Sequence, residues 1–238
     1  MSFRVRAITL DLDDTLWPFA PIGARVERTL DDWLRRHCPR TADRFPIPAM
    51  RALREQVFAE HPDLAHDFSQ LRRLSLVRAM QASGDDIAHA DAAFEVFHAE
   101  RNRVEFYPDT EAALVRLAAR RPLAALSNGN ADLATIGIDR LFAFQLGARE
   151  HGAAKPHPGI FHAACERLGC APGDVLHVGD HPEMDVAGAH RAGMRSAWLN
   201  RTDAAWDRTD LRPDLEFSSL AALADWLDAH SATETEAA

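Results

Sequence analysis

Residues 8–16 read ITLDLDDTL. An apolar run with the pattern of a buried strand closes on three carboxylates, Asp11, Asp13 and Asp14. Like charges this close repel, and burial adds to the cost of ionising each one. Side chains alternate along a strand, so Ile8, Leu10 and Leu12 are expected to point one way, and Thr9, Asp11 and Asp13 the other. On ordinary strand rise Asp11 and Asp13 then share a face, about 6–7 Å apart at Cα. They fall where the strand ends, and in an open α/β sheet that edge is where ligands bind. An acid-rich turn after a strand is common in isolation, so the weight of this motif depends on its partners elsewhere in the chain.

The surrounding sequence has a regular rhythm. Apolar runs at 5–12, 122–128, 142–148, 174–180, 194–200 and 213–218 alternate with helical patterns near 109–120, 158–168, 183–192 and 218–229, with Gly or Pro at most joints. Such alternation predicts an α/β fold with a parallel, Rossmann-like sheet. Residues 17–106 break the rhythm, with no convincing strand. Apolar residues recur there at helical spacing: Ile22, Val26, Leu30 and Trp33; Leu53 and Val57; Phe68, Leu71 and Leu74; Ala90, Phe94 and Phe97. Pro39, Pro46, Pro48, Pro62 and Gly84 divide the groups, so about four helices are expected. The expected organisation is a core of 1–16 plus 107–230, an all-helical insert at 17–106 forming its own lobe, and a disordered small, polar tail at 231–238.

Composition bounds the function. A chain of 238 residues with 47% apolar content can hold one large domain, or a domain with an insert. A net charge of −9 argues against nucleic-acid or anionic-membrane partners, but a local cation can still admit a small anionic substrate. The apolar runs are too short for a membrane span, and acids interrupt the N-terminal run where a signal peptide would stay apolar. Cys38, Cys165 and Cys170 have no metal or redox spacing, as expected of thiols in a reducing cytoplasm. Nothing in the sequence fixes an oligomeric state.

Partners for the first motif recur at other strand ends. In DVLHVGDHPEMD, Asp180 follows an apolar core and Asp185 lies near a helix start. Four carboxylates at one sheet edge are unstable without a cation, and a hard divalent ion with oxygen ligands, Mg2+, resolves the repulsion. LSNGN places Ser127 and Asn128 at a strand end before Gly129, where a hydroxyl and turn N–H groups can hold a phosphate. Lys155 stands just before a proline-opened helix, a favourable place for an anion. Taken singly these are a turn serine, a surface lysine and a helix-start acid; taken together, all at sheet edges, they describe a phosphate site.

DLDDTL, LSN, Lys155 in KP and GDHPEMD resemble the four motifs of the haloacid dehalogenase-like hydrolases, with 17–106 in the place of the helical cap. The resemblance implies Asp11 as nucleophile and Asp13 as general acid and base. It also implies Ser127, Asn128 and Lys155 on the phosphate, and Mg2+ on Asp11, the Asp13 carbonyl and Asp180. Asp185 and Thr15 take supporting places. Dehalogenases of the family lack an acid at the position of Asp13, because halide leaves without a proton, so a phosphate monoester is the implied substrate. SNGNADL, the 149–168 stretch and LHVGDHPEMDVAGAHRAGM further resemble the bacterial phosphatases of flavin biosynthesis. Those act on 5-amino-6-(5-phospho-D-ribitylamino)uracil and can hydrolyse FMN. Another sugar phosphate or nucleotide is the alternative substrate; a 2-haloacid dehalogenase, a non-catalytic phosphoryl-binding protein and a phospho-acceptor signalling domain fit the residues less well.

Other residues carry weaker signals. His151, His157 and His162 surround Lys155 in sequence but lack a zinc pattern. Trp17 reads as hinge packing, with stacking on a substrate ring as the sharper alternative. Trp198 and Trp226 read as core. Arg72, Arg73, Arg101 and Arg103 are candidate cations of the insert, and His181 has no evident role.

Overall fold

The computed structural model describes the backbone of residues 3–236 and the side chains of residues 3–230. Six strands form one sheet: β1 (Ala7–Leu10), β2 (Leu123–Ser127), β3 (Phe144–Gly147), β4 (Val175–Gly179), β5 (Arg195–Leu199) and β6 (Leu215–Phe217). All pairings are parallel, in the order β3-β2-β1-β4-β5-β6. β1, β2 and β4 are buried along their whole length, as near-continuous apolar strands covered on both faces must be. β1 is central. Leu10 pairs with Ala125 on one side and Val178 on the other, which puts Asp11, Ser127 and Asp180 at the same edge. The connection after β1 runs to β2 on one side and that after β4 runs to β5 on the other, opening between β1 and β4 the crevice used by ligands in such sheets.

The insert holds five α-helices, α1 (Phe19–His37), α2 (Pro39–Arg44), α3 (Ile47–Glu60), α4 (Phe68–Ser83) and α5 (Ala90–Arg101). The short α2, started by Pro39, is the one the apolar spacing does not reveal. α1 buries Ile22, Val26, Leu30 and Leu34; Trp33 instead stacks on His37, 4.3 Å between ring centroids. Phe68 is 37% exposed and packs against Phe58.

The core carries α6 (Thr110–Arg120), α7 (Leu133–Ile136), α8 (Ala148–His151), α9 (Pro158–Leu168), α10 (Gly188–Arg191) and α11 (Leu220–Glu236). The pattern near 183–192 is a π-helical turn at Pro182–Ala187 followed by α10. α11 extends the backbone of 231–236 as helix where a tail is expected, while 237 and 238 lie outside the described residues. No helix among the described residues is long and apolar enough to cross a membrane.

The chain forms two compact units. One runs through Pro18, Glu105–Asn128 and from Gly137 on; the other is Phe19–Val104 with Gly129–Ile136. The second piece has no apolar pattern to mark it. Polar contacts hold it to the insert helices: Asn130 Nδ2 donates to Ser69 Oγ at 3.3 Å, and the backbone N of Asp132 donates to Asn102 Oδ1 at 2.8 Å.

In the sheet unit, Ala7, Leu126, Ile160, Phe161, Val175 and Ala189 share one apolar cluster. Phe161 is fully buried and meets His177 edge-on at 5.0 Å; glycine at 188 leaves room for its ring. Phe161→Ala removes this wedge, and the expected loss is about 3–5 kcal/mol in urea unfolding with an unchanged m-value.

Candidate active site

The site begins where β1 stops. Asp11 N still donates to Val178 O at 2.9 Å, continuing the ladder one residue past the strand. The chain then closes a tight loop: Asp13 and Trp17 form a parallel bridge, Asp14 N donates to Trp17 O at 2.7 Å, and Asp14 takes a left-handed φ of 57°. Aspartate tolerates this conformation better than most residues. Strand alternation therefore does not place Asp13, contrary to the reading of 5–12 as one strand. Its carboxylate is held by Trp17, whose Nε1 donates to Asp13 Oδ1 at 2.8 Å. Trp17 is fully buried, so it acts as packing and as the anchor of Asp13, with no face left for a substrate ring.

Lys155 Nζ lies 2.6 Å from Asp11 Oδ1 and 2.6 Å from Asp185 Oδ1, with all three residues buried. Burial disfavours the ammonium, but Asp11 and Asp185 outweigh it and hold the lysine above its ordinary pKa. Burial also acts to raise Asp185, yet Lys155 and His177 overcome it and keep this carboxylate ionised. Asp11 goes the other way: burial pushes it well above the ordinary value, Lys155 opposes, and Asp185 and Asp180 add to the rise. Asp180 is pushed up to about 7, by burial first and then by Asp185 and Asp14.

Two further groups lock this arrangement. His177, on β4, has Nε2 3.0 Å from Asp185 Oδ1 and Nδ1 2.8 Å from Thr9 Oγ1. Burial keeps its ring neutral, which fits donation from Nε2 to Asp185 and acceptance at Nδ1 from Thr9. His181 N donates to Asp185 Oδ2 at 2.9 Å, and its ring accepts from the N–H groups of Glu183 and Met184, capping the π-helical turn. Gly179 is required by close approach, because a Cβ there would run into the Asp185 carboxylate. Sequence reading missed His177; its only signal is a polar residue inside an otherwise apolar strand.

Asp11, Asp180 and Asp185 offer carboxylate oxygens within 4.8 Å of one another. Full ionisation of all three would leave two negative charges beyond the one ammonium, an excess that a hard divalent cation would offset. Both Asp185 oxygens already accept hydrogen bonds, so the cation would fall to Asp11 and Asp180. Asp180 is oriented by Thr15 Oγ1 at 3.3 Å, and Trp198 Nε1 donates to its carbonyl at 2.7 Å. Ser127 is buried at the end of β2. Asn128, expected on the phosphate, has its amide on the Lys155 backbone instead, accepting from N at 2.7 Å and donating to O at 2.8 Å. It clamps the lysine loop. Among the described residues His151, His157 and His162 join no metal-binding group; His157 caps α9 and His162 bonds Ala192 O. Trp198 is core, and Trp226 is half-buried.

A family model described as haloacid dehalogenase-like hydrolase matches residues 5–193. The chain is 35% identical over 228 residues to the 5-amino-6-(5-phospho-D-ribitylamino)uracil phosphatase YigB of Escherichia coli K12, across 92% of this chain and 95% of that protein. It is 32% identical over 190 residues to the phosphoserine phosphatase of Thermus thermophilus, across 74% and 69%. Its fold is similar to the crystal structure of a 2-haloacid dehalogenase from Pseudomonas syringae pv. tomato DC3000, with a TM-score of 0.88 and 38% identity, across 94% of this chain and 99% of that one.

The raised carboxyls give a signed pH effect. A carboxyl whose folded pKa exceeds its unfolded value contributes stability in full at low pH and loses it as pH rises through the folded value, here about 7 for Asp180. In chelator at pH 8, Asp180→Asn is expected to unfold at a temperature about 2–4 °C above wild type, with little difference at pH 4.5. Added Mg2+ should raise the wild-type midpoint more at pH 8 than at pH 5.5, and the variant far less, as read by calorimetry.

Proposed function

Since the chain belongs to the haloacid dehalogenase-like hydrolases, we propose that it hydrolyses small phosphate monoesters through an aspartyl-phosphate on Asp11, with Mg2+ as its resident cation. The observation that carries this reading is the pair of carboxylates one residue apart: Asp11 lies 2.6 Å from Lys155 Nζ, and Asp13 is held separately by Trp17 Nε1 at 2.8 Å. The acidic donor set suits the ion. Asp11, Asp180 and the Asp13 carbonyl would hold it, and bound Mg2+ supplies charge neutralisation for the phosphoryl group.

The chain's own residues do the rest. Lys155, fixed by Asp185 and the Asn128 clamp, offsets the anionic phosphate that would otherwise be repelled by Asp11. The Ser127 hydroxyl and the turn N–H groups after it bind the phosphate oxygens. Asp11 attacks phosphorus while Asp13, as general acid, delivers a proton to the leaving oxygen. Asp13 then takes a proton from the water that cleaves the aspartyl-phosphate, restoring the Asp11 carboxylate and releasing inorganic phosphate.

The 35% identity to YigB across 92% of the chain supports 5-amino-6-(5-phospho-D-ribitylamino)uracil as the substrate, in riboflavin metabolism; FMN is a further substrate of the same proposal. Substrate choice is assigned to the helical unit. The three free cysteines suit a reducing cytoplasm. The likeness to a 2-haloacid dehalogenase supports a second reading, but departure of halide gives the Asp13 carboxyl no proton to deliver.

Asp11→Asn should abolish turnover and leave no trapped phosphoenzyme, whereas Asp13→Asn should lower kcat for an alkyl phosphate about 10²–10⁴-fold, and less for an aryl phosphate with a good leaving group. A phosphoenzyme trapped in Asp11→Asn would remove Asp11 as nucleophile. On a panel of sugar phosphates, phosphoserine, nucleotides and flavin-pathway phosphates, the last should rank highest by kcat/KM, with no halide released from 2-chloropropionate. Halide release without phosphate release would establish the dehalogenase reading.

A further inference from the structure

The helical unit contains an open groove between α1 and α3, reached from α4 by Arg72. Leu30, Leu34 and Met50 are buried in its apolar wall, with Phe45 and Ile47 beside them. Three arginines also reach it: Arg51, Arg54 and Arg72.

The charges there are unevenly matched. Glu27 accepts both guanidinium bonds of Arg51, at 2.6 and 3.1 Å, and has only a longer 3.7 Å contact with Arg54. Asp31 is taken by Arg35 at 2.7 and 3.3 Å. Arg72 has no ion pair or hydrogen bond among the described residues; its guanidinium stacks on the Phe97 ring, 4.4 Å from the centroid. Burial and then Arg54 push its pKa down to about 9, against Glu27, so it is still cationic at pH 7. A chain of net charge −9 thus holds an unmatched guanidinium at the edge of an apolar groove.

We propose that this groove binds a small carboxylate carried on an apolar body, with Arg72 holding the carboxylate. The guanidinium lies over the Phe97 ring and no hydrogen bond or ion pair among the described residues takes up its N–H groups, a fork that matches a planar carboxylate. The apolar body replaces water along Leu30, Leu34 and Met50. A single unmatched cation suits a monoanion better than a phosphate dianion, because Arg54 is shared with Glu27.

The test is calorimetric titration of the Mg2+-loaded protein with benzoate, with acetate and benzyl alcohol as probes of the charge alone and the body alone. Benzoate should bind one per chain, at least tenfold tighter than either control. Arg72→Met should weaken it at least tenfold while the unfolding temperature holds or rises, since an unmatched cation is removed. Ile47→Trp should weaken it comparably by filling the groove with the charge intact, which decides the matter if Arg72→Met does not fold. Asp11→Asn should bind benzoate as wild type does. No saturable binding, equal binding of acetate, or binding lost in Asp11→Asn but kept in Arg72→Met and Ile47→Trp would overturn the proposal.

Discussion

An ammonium closed off from water between two carboxylates organises the sheet edge. Lys155 Nζ touches Asp11 from the end of β1 and Asp185 from the turn after β4, and its own loop is clamped by Asn128 from the end of β2. Three separate chain segments are thereby tied to one charge. Removing one partner of such a buried pair typically costs about 3–5 kcal/mol, because the other is left uncompensated. The arrangement also divides labour among the acids. Asp185 is ionised and saturated by hydrogen bonds, so it serves the lysine. Asp11 and Asp180 are held above their ordinary range by burial and by the neighbouring carboxylates.

Around that centre, the polar groups inside the sheet unit form a sequence of fixed orientations. Thr9 sets the His177 ring, His177 holds Asp185, and Asp185 aims Lys155 at Asp11. Each link is buried and hydrogen-bonded, so it forces a unique rotamer on the next. Trp17 does the same for Asp13 from the opposite direction, using a ring wholly inside the core. The side-chain positions at the sheet edge are in this way fixed by the protein's own hydrogen bonds.

Much of this was legible in the residues. Apolar runs with Gly and Pro at the joints marked the six strands, most clearly β1, β2 and β4, because a parallel strand buried on both faces has little choice of side chain. Asp11, Ser127 and Asp180 were visible because polar groups at the ends of such runs stand out against them, and Lys155 because it precedes a proline-opened helix. What escaped was whatever depends on long-range contact. His177 looks like a flaw in an apolar strand until Thr9 and Asp185 are found beside it. Asn128 reads as a ligand for phosphate, yet its amide matches the Lys155 backbone in both directions. Residues 129–136 lack any apolar period, and their membership of the helical unit rests on polar bonds from Asn130 and Asp132.

That last segment bears on how this architecture can be rebuilt. The polypeptide passes between its two units at 18/19, 104/105, 128/129 and 136/137, so the helical unit is spliced into the sheet unit as two strips of chain. Grafting 19–104 from a relative would leave behind a native 129–136 whose hydrogen-bonding mates, Ser69 and Asn102, had been replaced. Module exchange must therefore carry both strips. The shorter one begins at the peptide bond after Asn128, so any graft must be joined directly beside the residue that clamps the lysine loop.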